Sequence, residues 1–179
     1  MGVPEAPLRT TRFGLAADGE GWFVLNATEA RWRDYGPLGA GCDFQGKRPF
    51  RQIGVNINVL APGQPLGMYH RENHPEGFLV LSGECLLIVE GQERTLAAWD
   101  FVHCPPGTAH VLVGAGDGPS VVLAVGARGG RKGLVYLAEP AAVHRGAGVR
   151  HETMRPAEAY EPFPRPGRCA YQPGWLPEA

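Results

Sequence analysis

Residues 70–77, HRENHPEG, carry four side chains able to bind a metal ion, His70, Glu72, His74 and Glu76, and the backbone they adopt decides which of them act together. On a helix, His70 and His74 would share one face a turn apart, as in the zinc motif H-E-x-x-H. Here the glutamate follows the first histidine by two positions instead of one, so it would point away from the ion. Pro65 and Gly67 precede the stretch, and Pro75 and Gly77 close it, which breaks a helix on both sides. On an extended backbone, residues of equal parity share a face, so His70 and Glu72 point the same way. Asn73, His74 and Pro75 then read as a turn, and a strand starting at Glu76 returns beside His70 as its hairpin partner.

The surrounding sequence repeats that rhythm. Between residues 22 and 135 the apolar runs are short and bounded by turn residues: WFVLNA, IGVNINVLAPG, GFLVLSG, ECLLIVEGQE, DFVHCPPG, AHVLVGAGDG, SVVLAVG and GLVYLAE. Regular short strands of this kind specify an all-β sandwich or barrel. Glu90 to Glu93, EGQE, has a glycine where a hairpin would turn, and Gly114 to Gly118, GAGDG, supplies another turn. Runs such as Phe78-Leu79-Val80-Leu81 are apolar at both parities, so both faces of those strands need cover. The one helix candidate is RPAEAYEPF, Arg155 to Phe163, with Pro156 at a first-turn position.

A second segment adds a ligand. In CPPGTAHVLVG the Pro-Pro-Gly-Thr turn reverses the chain, and His110 opens a strand that places His110 and Leu112 on one face. Two imidazoles and a carboxylate, from His70, His110 and Glu76, suit one divalent ion of iron, manganese, nickel, cobalt or zinc with positions left open. Glu72 is either a fourth ligand or a general base beside the ion, and His74 is its rival as ligand. Tyr69, Phe78, Trp99, Phe101 and His103 flank these motifs and are the candidate lining of a substrate pocket. The basic loop ARGGRKG, Ala127 to Gly133, reads as a solvated turn, the alternative being a phosphate or carboxylate held by its glycine-rich backbone.

The two segments together resemble the cupin superfamily, small double-stranded β-helix (jelly-roll) barrels with a metal at the centre. Its first motif, G-x5-H-x-H-x3-4-E-x6-G, is matched by His70, Glu76 and Gly83, with Glu72 where the second histidine stands and Gly63 one position early. Its second, G-x5-P-x-G-x2-H-x3-N, is matched by Pro105, Gly107 and His110, with Trp99 in the glycine place and Gly114 in the asparagine place. The resemblance covers roughly residues 52 to 126. It implies a metal-binding protein acting on a small organic substrate, dioxygenase-like if the metal is redox-active. Isomerase or epimerase chemistry, and a non-catalytic or sensory barrel binding a sugar or other metabolite, are the alternatives. It also implies a homodimer.

The chain as a whole sets outer limits. Its 179 residues, 44% of them hydrophobic, suit one globular domain. Within it, residues 1–45 read as a wrapping segment with a strand, 46–138 as the barrel, and 139–179 as a proline-rich arm with at most one short helix. Lysine plus arginine, 17, nearly balance aspartate plus glutamate, 18, so bulk charge points to a small-molecule partner and not to nucleic acid or an anionic membrane. No apolar run approaches the roughly 18 residues of a membrane span, and MGVPEAPLRTTRFG has no signal-like apolar core, so the expected location is the cytoplasm. Cys42, Cys85, Cys104 and Cys169 form no C-x-x-C pair and read as reduced, mostly buried thiols.

Overall fold

The computed structural model describes residues 2–178. In chain order the strands are β1 (Leu8–Thr11), β2 (Gly14–Ala17), β3 (Arg31–Asp34), β4 (Ala40–Cys42), β5 (Ile53–Leu60), β6 (His70–Arg71), β7 (Glu76–Ser82), β8 (Glu84–Val89), β9 (Gln92–Ala97), β10 (Phe101–Cys104), β11 (His110–Ala115), β12 (Ser120–Ala127) and β13 (Val135–Tyr136), followed after two helices by β14 (Gly167–Ala170). The helices are α1 (Pro140–His144) and α2 (Pro156–Ala159). Two antiparallel sheets face each other as a jelly roll. One has the order β10-β7-β12-β5-β4-β3-β14 and the other β13-β6-β11-β8-β9, while β1 and β2 form a separate hairpin.

Alternation along the strands separates an inner core from two outer ones. Phe78, Val80, Cys85, Leu87, Leu112 and Val122 fill the space between the sheets. The opposite parity of β5 and β12, Val59 and Val121, packs outward under Trp32, with Leu81 of β7 beside them. Trp32 is 0% exposed, its ring lies 5.0 Å from that of Trp175 and 5.9 Å from that of Tyr171, and its indole N–H donates to the Ala27 carbonyl at 2.8 Å. On the other sheet the outward residues Ile88, Val111 and Val113 pack under Ala142 and Ala147, in and just after α1. The chain ends therefore serve as the cover that doubly apolar strands require, since exposed apolar area costs about 25 cal/mol per Å².

Turns set the register. Glu90 (φ 48°) and Gly91 (φ 72°) join β8 to β9 with Val89 opposite Gln92, the backbone of a two-residue type I′ hairpin. Pro105 to Thr108 closes with Thr108 N donating to the Pro105 carbonyl at 3.1 Å and Gly107 at φ 88°, a type II turn that only glycine enters without strain. Glu90 also ties the hairpin to the strand bearing His110: its carboxylate accepts from Ala109 N at 2.6 Å.

Several expectations require correction. WFVLNA forms no strand; only Trp22 makes an isolated bridge, to Glu5. The C-terminal arm has two short helices, not one. Glu139 caps the additional one by accepting from Ala141 N, with Pro140 at its first position. Strands β3 and β4 of the N-terminal segment and β14 of the C-terminal arm extend the larger sheet. The four cysteines are free, three of them buried.

Trp99, in the glycine place of the second motif, has φ 76° and is 74% exposed. A bulky residue in the left-handed region costs roughly 1–2 kcal/mol, partly offset in a glycine variant by the greater entropy of its unfolded chain. Trp99→Gly is therefore expected to stabilise the protein by about 0.5–1 kcal/mol in urea unfolding; a loss of stability would show that the exposed indole does more than occupy a turn.

Candidate metal centre and cavity

His70 and His110 are direct register partners on neighbouring strands, β6 and β11. Their rings lie 5.1 Å apart. Glu76 opens β7 in the other sheet, so the three side chains meet across the barrel interior. This corrects the hairpin reading of HRENHPEG: β6 pairs with β11 and β13, and β7 pairs with β10 and β12. The polypeptide between His70 and Glu76 crosses from one sheet to the other.

Ligand atoms of His70, Glu76 and His110 all lie within 4.8 Å of one another. Glu76 Oε2 is 3.5 Å from His70 Nε2 and 3.3 Å from His110 Nε2. Each imidazole has its other nitrogen anchored, His70 Nδ1 to the Met68 carbonyl at 2.8 Å and His110 Nδ1 to the Thr108 carbonyl at 3.0 Å. A carbonyl only accepts, so both Nδ1 atoms carry the proton and both Nε2 atoms turn to the shared point. That is the arrangement in which outer carbonyls fix histidine ligands for a metal. Among the described residues the buried atoms Glu72 Oε2, His74 Nδ1, Glu76 Oε2 and His110 Nε2 make no hydrogen bond, and the last two face the shared point, where a divalent ion would satisfy them. Gly126, opposite Glu76 on β12, has no side chain to crowd the carboxylate.

The electrostatics follow from burial. Desolvation pushes the Glu76 carboxyl up, but the hydrogen-bonding reach and charge of His110 and His70 outweigh it and hold the group well below the usual carboxylate range. Burial acts against a charged His110, yet the Cys104 thiol and then Glu76 prevail and raise it to about 10. Both shifts favour the charged pair, a protonated His110 beside an ionised Glu76, in the absence of a metal.

Glu72, 4% exposed, stands outside this trio. Its Oε2 is 2.7 Å from Lys132 Nζ and 4.0 Å from His70 Nε2, while its Oε1 is 3.8 Å from His74 Nδ1. Lys132 belongs to the loop expected to be a solvated turn, and no spacing rule pairs it with Glu72. The loop is brought there by Asn73 N donating to the Lys132 carbonyl at 2.7 Å. His74 and Glu72 line a cavity of about 360 Å³ adjoining a larger one of about 610 Å³. The larger cavity has His70, Glu76 and His110 in its wall.

The candidate pocket residues divide. Phe78 lines the larger cavity with its ring 5.2 Å from that of His110. Trp99 and Phe101 are instead exposed, 74% and 66%, because the turn before β10 and the odd parity of that strand face outward. His103 shares Phe101's parity and is exposed, whereas Cys104 is buried. Tyr69 is buried in the outer core over the smaller sheet, where its hydroxyl accepts from Gly91 N at 3.3 Å. The residues that sequence reasoning missed, Arg33, Tyr35, Tyr160 and Phe163, come from the two ends of the chain.

Among the described residues no helix is long and apolar enough to cross a membrane. Residues 56–126 match the family model described as "Cupin domain". No curated protein matches the chain in sequence. Among solved structures, a candidate sugar phosphate isomerase from Acidithiobacillus ferrooxidans is 30% identical, with TM-score 0.44, over 48% of this chain and 55% of that one. A sugar phosphate isomerase from a cupin superfamily, from Silicibacter pomeroyi, is 29% identical, with TM-score 0.43, over 45% and 53%. KdgF from Halomonas sp. is 20% identical, with TM-score 0.46, over 55% and 88%. The matches span about half the length of the first two structures. The motif residues, the two-sheet barrel and the family match together identify residues 56–126 as a cupin domain.

Proposed function

We propose that the protein is a metal-dependent enzyme acting on a small organic substrate, with His70, Glu76 and His110 holding one divalent ion. The observation that carries this reading is the pair of imidazoles whose Nδ1 atoms are fixed by the Met68 and Thr108 carbonyls while both Nε2 atoms approach Glu76 Oε2. A divalent ion held by these three residues would polarise a small substrate in the cavity and, were it redox-active, would supply dioxygenase-like chemistry. Phe78 keeps one side of His110 dry, and the larger cavity gives a small molecule room beside the three side chains.

A second reading, isomerase or epimerase chemistry, draws on Glu72. Its carboxylate is buried 4.0 Å from His70 Nε2 and kept in place by Lys132, so it is the group to move a proton on a substrate polarised at the same centre. A barrel that only binds its ligand would share the metal centre and show no turnover. The homodimer implied by the resemblance is part of the proposal, to be measured by light scattering after size-exclusion chromatography.

Purification without added metal followed by elemental analysis is expected to find about one divalent ion per chain, lost in His110→Ala; unchanged metal content in that variant would refute the ligand assignment. Oxygen uptake with phenols, diketones and thiols then separates the readings, since a redox-inert metal without turnover removes the oxygenase. For Glu72→Gln, retained metal with loss of turnover is the outcome expected of a proton-moving group, and loss of metal is that expected of a ligand.

Proton and metal compete for His110 Nε2. Because the folded metal-free protein raises His110 from 6.5 to about 10, that group's contribution to stability is complete below about pH 6.5 and lost as pH rises towards 10. Because Glu76 is lowered from 4.5, its contribution is present above that value and lost on acidification. Thermal melting of EDTA-treated protein should therefore show a maximum attributable to the pair between about pH 4.5 and 6.5, with an alkaline decline that is shallower in Glu76→Gln. An identical alkaline slope in the variant would remove the ion pair from the account.

A further inference from the structure

The walls of the larger cavity carry charge that the metal centre does not explain. Arg33 of β3 and Arg128, just beyond β12, both line it, together with Asp43 and Glu76. Arg128 is already engaged, its Nη1 donating to Gln45 Oε1 at 2.8 Å and to the Phe50 carbonyl at 3.0 Å. Arg33 is not. Among the described residues its one charged contact is Nε to Asp43 Oδ2 at 3.9 Å, beyond hydrogen-bond range, and its guanidinium fork makes no hydrogen bond.

A neighbouring feature points the same way. Arg168 of the edge strand β14 is the register partner of Arg33, so two like charges stand directly opposite on one face of the sheet. Such a pair is destabilising by itself. Arg31, two residues earlier on that face, has its guanidinium drawn below the usual range, first by burial and then by Arg168. Arg33 and Arg31 thus share one acid, Asp43, while Arg168 adds a third positive charge opposite Arg33. An anion bridging the open fork of Arg33 relieves that repulsion, and a planar guanidinium accepts carboxylate or phosphate oxygens in pairs.

The placement of this charge matters for the ligand. In the larger sheet, β3 lies four strand positions from β7, which carries Glu76. At about 4.8 Å per position that is roughly 19 Å along the sheet, less across its curved inner wall. Tyr35, Tyr160 and Phe163 add aromatic faces to the cavity wall, and Asn56 and Asn58 of β5 add amides. Arg33 and Arg128 balance Asp43 and Glu76, so a divalent ion at the histidines leaves the cavity lining with two net positive charges. That last step rests on the function proposed above; the unpaired fork of Arg33 does not.

We infer that the larger cavity takes an organic anion whose carboxylate or phosphate is held by Arg33, in the positive field of Arg168 and Arg128. The N-terminal segment is then a specificity element as well as a cover. Arg33 is a substrate-binding residue of the cavity, supplied from outside the residues that match the cupin domain.

The test uses benzoate, phenyl phosphate and neutral benzamide in calorimetric titrations of the full chain, as purified and after loading with Mn²⁺. At least one anion is expected to bind, with benzamide about 10-fold weaker or more. Arg33→Gln is expected to weaken the anion by about 10-fold or more, with Arg33→Lys in between, while its metal content and circular dichroism match wild type. Tighter benzoate assigns the subsite to carboxylates, and tighter phenyl phosphate assigns it to phosphates. Equal anion affinity in Arg33→Gln, benzamide binding as well as benzoate, or no binding of either anion overturns the inference. A protein that holds no metal yet loses anion binding in Arg33→Gln defeats the metal-centre reading and keeps the subsite; normal metal content with an indifferent Arg33→Gln does the reverse.

Discussion

The centre of the barrel must reconcile a carboxylate with an apolar interior. Glu76 lines the cavity together with Phe78 and Leu112, its Oε2 buried, and a carboxylate buried without a partner costs several kcal/mol. The partners come from the opposite sheet. His70 and His110 are register neighbours there, each fixed through Nδ1 by the carbonyl two residues before it. That local i to i−2 bond needs no other part of the protein to aim the imidazole. Sheet pairing and turn geometry then place the two aimed rings side by side, and the jelly roll brings Glu76 to them.

Much of the surrounding architecture serves this meeting. The type II turn at Pro105 to Thr108 delivers His110, and it is attached to the other motif because Gly107 N donates to the Glu72 carbonyl at 2.7 Å. The Glu90 carboxylate on Ala109 N fixes the strand start from the other side. Tyr160 adds a tie from the distant C-terminal arm, its hydroxyl accepting from Met68 N at 3.3 Å, directly beside the carbonyl that orients His70. A shift in any of these attachments moves an imidazole relative to Glu76.

The barrel was legible because its signals are local. Period-two alternation, Glu90-Gly91 and Pro-Pro-Gly-Thr each determine geometry within a few residues, and the spacing of His70, Glu76 and His110 reflects turns of fixed length. Equal parity and short spacing predict that His70 and Glu76 meet, but not that they do so from facing sheets instead of across a hairpin. Parity alone cannot distinguish a strand returning in the same sheet from one crossing to the facing sheet, and both deliver the side chain to the interior. Trp99 and Phe101 were misplaced because aromatic character marks burial only on average, while a turn and strand parity turned both outward. Lys132 on Glu72, and Arg33 and Tyr160 in the cavity wall, depend on contacts across 60 to 90 residues or on a terminal strand added to the sheet. No local rule encodes those.

The candidate site draws its side chains from different parts of the chain. Residues 56–126 hold His70, Glu76 and His110, and this part is the one that matches the cupin domain. Arg33 and Tyr35 on one side, and Tyr160 and Phe163 on the other, belong to segments outside it. Those segments cannot be dispensed with as mere appendages, because Trp32 on the outer face of β3 anchors the same strand whose inner face carries Arg33. Alternation along one strand thus joins the two roles. The parity that buries the indole for stability turns the guanidinium to the cavity, so a change of register in β3 would abolish the cover and the charged wall together.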